Sequence, residues 1–288
     1  EAEQDPAAAI ALYRQALVTP LSPRLTLAAR LNLAALLLHQ GQLEDAEQLC
    51  RQATTVAPEI GLGWYNLGLI RRRRGDLAGA LAAYRQGDLL LHCPLAMPIA
   101  WGIPEVAIGL TPGQPRLDPG ALAEELGLPA ERQRCVLISF GGLGLGLAPE
   151  LLQRWPEHVF ITADPQLAAA PNARLLPAGV RPLEVMGLCA RLITKPGYSS
   201  FCEALSARVG VHLVRREGFA EAPVLEAALV RHGWHRLLSQ QQALWGDWQL
   251  DQPLLPPQGP ALEADGSTQA ARSIGAFVES QAGQGAVD

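Results

Sequence analysis

Two hydrophobic patterns divide the chain. Up to about Leu91 the arrangement of apolar and small positions repeats. Shifting the sequence by 34 residues brings Leu33, Ala34, Gly41, Ala46, Cys50 and Ala53 onto Leu67, Gly68, Gly75, Ala80, Tyr84 and Gly87. Upstream, Ala9, Tyr13 and Ala16 reproduce the second-helix spacing of that unit. The repetition predicts about five helices ending near Leu91. Further on, short and continuous apolar runs take over, as strands buried on both faces require. They predict strands at Cys135–Phe140, Val159–Ala163, Ala173–Leu176, Arg191–Thr194 and Val211–Val214. Helices are expected from about Pro149, over Pro182–Ala190, from Ser199 or Ser200 to Ala207, and over Pro223–Arg231. This alternation predicts a doubly wound parallel sheet with helices on both faces.

The repeat in the first part resembles the tetratricopeptide repeat. Its period is 34 residues; one unit ends at Pro58 and the next carries Trp64 near its start. Small residues (Ala34, Gly68, Ala46, Ala80) stand where paired helices approach closely, and Gly41 and Gly75 fall at the turns. The first helix of the most N-terminal repeat is missing, so Glu1 is expected to be an internal residue of a longer protein. The resemblance implies docking of a protein or peptide partner. Arg71, Arg72 and Arg74 form part of a basic run at the end of a helix. They read either as a solvated face that favours the helix dipole or as part of a partner-docking surface.

Composition narrows the possibilities. The 288 residues exceed the usual size of one domain. They are read as a helical repeat domain (1–94), a Pro/Gly-rich linker and edge segment (95–128), and a Rossmann-like domain (129–288). The fold class is therefore α + α/β: a short helical array, then a Rossmann-like parallel-sheet domain. Against 23 Lys and Arg stand 28 Asp and Glu, a net charge of −5. That balance argues against nucleic acid as the main partner. No apolar stretch reaches the ~20 residues of a membrane span. The five cysteines stand singly, with no C-x-x-C and no His at metal-ligand spacing, so no metal site is expected. They read as buried thiols of a cytoplasmic protein.

Parallel sheets of this kind bind ligands at the carboxyl ends of their strands. Two segments there carry candidate chemistry. The first is Gly141-Gly142-Leu143-Gly144-Leu145-Gly146. It lacks the third Gly of a dinucleotide fingerprint and the Lys of a P-loop. It is either a loop whose backbone approaches an anion or sugar, or a plain turn. The second is Lys195-Pro196-Gly197-Tyr198-Ser199-Ser200-Phe201-Cys202-Glu203. Gly197 allows an unusual backbone conformation, and Ser199 or Ser200 caps a helix whose free N–H groups form an anion site. Glu203, one turn inside, either accepts hydrogen bonds from ribose hydroxyls or simply favours the helix dipole.

The succession SFGGLG, PNARLLP, LITKPGYSSFCEAL and VRREGFAEAPVLEAAL resembles the C-terminal, nucleotide-sugar-binding domain of GT-B glycosyltransferases. The group meant includes the N-acetylglucosaminyltransferase of lipid II synthesis, and the likeness covers about residues 103–280. It implies that Glu203 holds the ribose and that Gly197, Ser199 and Ser200 belong to the nucleotide-binding segment. It further implies that Gly141 and Gly142 lie beside the donor sugar and phosphate, and that Arg116 in GLTPGQPR contacts phosphate. Arg216, Glu217 and Glu221 would face the sugar. The implied donor is a UDP-sugar; no other cofactor is implied.

Two features depart from that family. Leu143 replaces a polar loop residue, and the chain has room for one Rossmann-like wall only. No catalytic residue can be named: His158 and His212 sit at or in strands, where a structural histidine is the stronger reading. The expectation is a glycosyltransferase-like protein that binds a nucleotide sugar and, through its repeats, a protein partner or acceptor. It is not expected to transfer sugar unaided. The alternatives are a non-catalytic scaffold with a degenerate nucleotide-sugar fold, and a dinucleotide binder with Asp164 on the ribose.

Overall fold

The computed structural model describes residues 6–141 and 145–284. The chain divides into two compact units, residues 1–90 with 99–106, and residues 91–98 with 107–288.

The first unit holds five helices: α1 (Pro6–Leu17), α2 (Pro23–His39), α3 (Leu43–Val56), α4 (Gly61–Arg73) and α5 (Leu77–Tyr84). Each packs on its neighbour in sequence. The internal repetition extends to the turns. Gly41 and Gly75 both take the left-handed conformation (φ +76° and +82°). After each helix the chain closes with the same bond, Gln42 N–H to Leu37 O and Asp76 N–H to Arg71 O, both 2.9 Å. These are Schellman closures, which need a left-handed residue and so favour Gly. Leu33, Ala34, Leu37, Ala46, Cys50, Leu67 and Ile70 form the core between the helices. Gly68 is fixed by packing, since a Cβ there would lie 2.3 Å from the Tyr84 ring.

The helices stop at Tyr84 and not near Leu91. Tyr84 stacks on Trp101 (centroids 4.6 Å apart), and the Arg85 guanidinium donates to Trp101 O at 2.9 Å. An aromatic platform thus replaces a further turn of α5.

The arginine run has work inside this unit. Glu47 on α3 is buried, and it receives Arg51 (2.8 Å), Arg71 (3.5 Å) and Arg74 (2.5 Å). Arg71 also donates to Gly79 O, and Arg73 to Leu38 O. Burial alone would raise the Glu47 pKa, but the hydrogen bonds and charges of Arg51 and Arg74 outweigh it and lower it. Of the three arginines read as a docking surface, only Arg72 is left out of this cluster.

A short two-stranded sheet follows, β1 (Leu90–His92) with β2 (Glu105–Ala107). The second unit then runs α6 (Pro119–Glu125), β3 (Cys135–Ser139), β4 (Val159–Thr162), β5 (Ala173–Leu175), α7 (Pro182–Met186) and β6 (Arg191–Thr194). It continues with α8 (Tyr198–Ser206), β7 (Gly210–Val214), α9 (Ala222–His232), β8 (His235–Leu238), α10 (Gln240–Leu244) and α11 (Gly266–Gln284). Six strands form one parallel sheet in the order β5-β4-β3-β6-β7-β8. Numbered within the sheet, that order is 3-2-1-4-5-6, the arrangement of the doubly wound dinucleotide fold.

Side chains of a strand alternate between faces, so each strand feeds two cores. Leu137, Ile161, Leu192, Val211 and Leu213 pack with Val185, Phe201, Leu225 and Leu229 of α7, α8 and α9. Val136, Ile138, Phe160 and Ile193 pack with Leu152, Leu167, Ala243 and Trp248. The helix expected from Pro149 is a 3-10 stretch, Pro149–Arg154. The strand β8 was not expected; His235 and Arg236 interrupt its apolar run.

Residues 95–128, read from their Pro and Gly as linker, are divided between the units. From Ala107 onward they are part of the second. Leu110 is fully buried, its N–H donates to Glu263 O (2.7 Å), and Gly266 N–H donates back to Leu110 O (2.9 Å). Asp118 caps α6, which sends Leu122 and Leu126 into the core. Backbone pairing with the distant segment around Glu263 and Gly266 leaves no local hydrophobic signature.

The Glu47 cluster yields a prediction for the first unit. Removing the carboxylate takes from Arg71 its only ion pair among the described residues and leaves Arg74 with the exposed Glu44, 3.7 Å away. Glu47→Ala should lower stability by about 2 kcal/mol, between an exposed and a wholly buried ion pair. Because the folded-state pKa is lowered, this contribution is present above the ordinary value of 4.5 and is lost as pH falls below it. Urea unfolding of the full chain at neutral and acidic pH tests both statements; a variant as stable as the parent near neutrality refutes them.

Candidate functional site

The strand order reverses between β3 and β6. Their chains leave the sheet in opposite directions, which opens a crevice beyond their carboxyl ends. The two ends are tied together: Ser139 pairs with Thr194 in register, and Thr194 Oγ1 donates to Ser139 O at 2.7 Å. β3 runs into Phe140 and Gly141, and Gly141 turns the chain in the left-handed region (φ +60°). Gly142 lies outside the described residues.

β6 runs through Lys195 and Pro196 into α8. The helix starts one residue earlier than expected, at Tyr198, with Gly197 as its N-cap and no side-chain cap. Ser199 and Ser200 therefore stand inside the first turn and do not cap it. Gly197 has φ −163°, extended backbone that any residue adopts, so the unusual conformation expected there is absent. Phe201 N–H is the first to find its partner, Gly197 O, at 3.1 Å. The N–H groups of Tyr198, Ser199 and Ser200 have no acceptor within the helix, as at every helix start.

One turn into α8, Glu203 is partly buried and accepts no hydrogen bond from any described residue. Burial raises its pKa, and the charge of Arg181 opposes that only in part. Gly113 passes close by. A Cβ there would stand 3.4 Å from Glu203 Oε1 and 2.7 Å from the Leu183 side chain, so the backbone approaches where no larger residue fits.

The loop carrying Gly113 is held by a residue the sequence did not single out. Glu184 on α7 is buried, and its Oε2 accepts the N–H groups of Arg116 (2.7 Å) and Leu117 (3.1 Å). Its Oε1 takes the Arg181 Nε at 2.8 Å, and Arg181 reaches on to Gln114 O, also 2.8 Å. The Arg116 backbone hydrogen bond, with Arg181 and Leu117, lowers the Glu184 pKa against the effect of burial. Arg116 thus serves the loop through its backbone, while its side chain is exposed.

Glu221 is the exposed N-cap residue of α9, and its side chain makes no capping bond. In the loop before it, Arg215 is paired with Glu226 at 2.6 Å, and the Arg216 guanidinium lies 4.9 Å from the centre of the Phe219 ring. Gly141, Gly197, Ser199, Ser200, Glu203 and Glu221 therefore all follow the carboxyl ends of β3, β6 and β7. Arg116 belongs to the loop whose Gly113 lies beside Glu203, and it is held there by its backbone bond to Glu184.

A cavity of about 300 Å³ lies at the ends of β3 and β4, lined by Phe140, Gly141, Leu147, Thr162, Asp164 and Leu167 among others. Glu203, Ser199 and Ser200 do not line it. Asp164 Oδ1 accepts the Gln166 N–H at 2.9 Å, a local turn contact.

Of the two histidines singled out, His212 is held by hydrogen bonds and His158 by its packing against Trp155 and Phe160. His212 is fully buried; Nδ1 donates to Trp248 O (2.8 Å) and Nε2 accepts from the Arg191 guanidinium (2.9 Å). Burial, then the Arg191 charge, lowers its pKa to about 3. The His158 pKa is also lowered, chiefly by burial. All five cysteines are free and four are buried, with the Cys50 thiol pushed up to about 12 by burial. Among the described residues no helix is long and apolar enough to cross a membrane.

No known protein family matches the chain, and no curated protein matches it by sequence. Among solved structures it is similar to the glycosyltransferase SnogD from Streptomyces nogalater, at 15% identity and a TM-score of 0.42. That likeness covers 90% of this chain and 83% of the other. The glycotransferase of kitacinnamycin matches at 15% identity and a TM-score of 0.43, over 81% of this chain and 68% of its own. Superpositions this loose decide nothing about function; the fold rests on the strand order and registers given above.

The His212 contacts make a prediction about pH. The unfolded chain takes a proton at this residue near pH 6.5, and the folded one not until about 3. A lowered folded pKa means stability present above 6.5 and lost progressively as pH falls toward 3. His212→Gln can keep both hydrogen bonds but cannot titrate. Its urea midpoint should change less between about pH 7 and about pH 4.5 than that of the parent. An unchanged difference would remove His212 from the acid sensitivity.

Proposed function

We propose that the second unit binds a nucleoside-diphosphate sugar in the manner of a GT-B glycosyltransferase donor domain. The helical repeats of the first unit would dock a protein partner or acceptor. The observation that carries the nucleotide reading is Glu203, a partly buried carboxylate without a hydrogen-bond donor, one turn inside a helix that opens at the strand-order reversal. A carboxylate in that condition is stabilised by a ligand that brings donors, and the paired hydroxyls of a ribose are such donors. The first N–H groups of α8, at Tyr198, Ser199 and Ser200, suit the diphosphate. Gly141 and Gly142 would lie beside the sugar phosphate, and Arg116, on the loop that Glu184 holds, would supply a positive charge. Glu221 stands on the sugar side. The motif KPGYSSFCE, and its likeness to the lipid II N-acetylglucosaminyltransferase group, point to UDP as the nucleotide. A free-thiol complement of this kind suits a reducing, cytoplasmic setting.

The chemistry open to these residues is binding and orientation. Transfer further requires a general base within hydrogen-bond reach of an acceptor hydroxyl; His212 is bonded to Trp248 and Arg191, and His158 is packed against Trp155 and Phe160. For the repeats, Arg72 is the arginine of the basic run still free to meet a partner.

Calorimetry on the full chain with UDP, UDP-glucose and NAD tests the reading. UDP and UDP-glucose should bind and NAD should not. Glu203→Gln should weaken UDP about tenfold, the worth of a charge-assisted hydrogen bond. The same variant should unfold at an equal or higher temperature than the parent without ligand at neutral pH. A raised folded-state pKa is favourable below the ordinary value of 4.5, and that contribution is lost as pH rises through the folded value. Failure of UDP to bind would leave a non-catalytic scaffold, and binding of NAD alone would favour the dinucleotide reading.

A further inference from the structure

Beyond the ends of β3, β6 and β7 lies a second, smaller recess of about 150 Å³. Phe140, Leu145 and Val214 form its apolar part, and Lys195, Arg216 and Gln240 its polar part, with Arg215 beside them. It is about half the volume of the cavity at β3 and β4 and has room for one phosphate or carboxylate group.

Its charges are unbalanced. Arg215 is neutralised by Glu226. Neither Lys195 nor Arg216 forms an ion pair with any described residue. Glu217 adjoins Arg216 in sequence but is exposed and makes no ion pair with it. Burial, and then the charge of Arg216, lowers the Lys195 pKa, so the two cations stand within reach of each other's field. Arg216 is steadied by the Phe219 ring beneath it (4.9 Å), which presents a planar fork without further ordering.

We propose that Lys195 and Arg216, with Gln240 at the rim, form an oxyanion-binding recess that holds a charged group of the ligand. Two cations held together in a partly apolar recess repel each other, and an oxyanion between them relieves that repulsion. Lys195 meets it as a point charge, and Arg216 can donate two parallel hydrogen bonds. The recess itself does not depend on the nucleotide-sugar reading. The source of the anion does: it is either the diphosphate or the carboxylate of an acidic sugar.

The test uses the full chain and three proteins: the parent, Lys195→Met and Arg216→Gln. Thermal unfolding is followed in sodium phosphate against sodium chloride at equal ionic strength, with Arg272→Gln, at an exposed residue of α11 outside the recess, as a charge control. Phosphate should raise the melting temperature of the parent and of Arg272→Gln. Each recess variant should lose most of that rise, at least tenfold in apparent phosphate affinity. Without phosphate neither should melt below the parent, since each removes one of two like charges; a merely structural role would lower both. No phosphate response in the parent, or the same response in all proteins, overturns the recess.

Calorimetry then separates the sources. If the diphosphate sits there, both variants weaken UDP and leave uridine unchanged. If a sugar carboxylate sits there, the parent prefers UDP-glucuronate to UDP-glucose at least tenfold and the variants do not. A phosphate response without any UDP binding would overturn the nucleotide reading and keep the recess.

Discussion

β3 and β6 are hydrogen-bonded neighbours whose following segments must part. From β3 the chain turns toward β4 and β5, and from β6 it turns toward β7 and β8. Nothing can fill the space between two connections that diverge, so a crevice at this point is a consequence of topology and not of any one residue. The Thr194 hydroxyl bond to Ser139 O keeps the two strand ends level. The start of α8, the turn at Gly141 and the Lys195–Arg216 recess take their positions from that edge.

Three glutamates withdrawn from solvent show how the chain separates structure from function. Glu47 is surrounded by Arg51, Arg71 and Arg74, and Glu184 by two backbone N–H groups and Arg181. In both the compensation exceeds the cost of burial, and the pKa falls. Glu203 is only partly buried, but the charge of Arg181 offsets that burial only in part, and its pKa rises. A desolvated carboxylate without a donor is unfavourable. A ligand that brings donors would offset that cost, which is why the proposed nucleotide site rests on Glu203 and not on its better-bonded counterparts.

The strands buried on both faces were legible to within a residue. Cys135–Ile138 is an unbroken apolar run and Arg191–Thr194 holds Leu192 and Ile193 between polar ends, because both sheet faces are covered, and that constraint is written locally. β8 was not legible, since an edge strand needs apolar residues on fewer positions and His235 and Arg236 broke the run. Glu184 escaped notice because its partners, Arg116 and Leu117, lie 68 and 67 residues away. The segment after Ala107 read as linker because its order comes from pairing with the region around Glu263. The start of α8 was misplaced by favouring a hydroxyl cap, where the chain uses Gly197. The KPGYSSFCE segment nevertheless lies at the strand-order reversal, because a strand followed at once by a helix start was readable from its own residues.

The larger cavity at β3 and β4 offers a rival ligand site, and the reason for ranking it second is geometric. A dinucleotide fold uses the helix after its first strand to face the pyrophosphate, with an acidic residue at the end of the second strand on the ribose. Asp164 stands at that second position. Among the described residues after Gly141, however, the chain forms only the six-residue 3-10 stretch Pro149–Arg154 before β4. Such a stretch lacks the aligned dipole and the splayed N–H groups of an α-helix start. Asp164 also already accepts the Gln166 N–H, whereas Glu203 accepts nothing from the described residues. The helix start and the unsatisfied carboxylate coincide at α8 and are separated at β4, and a phosphate with an adjoining ribose needs them together.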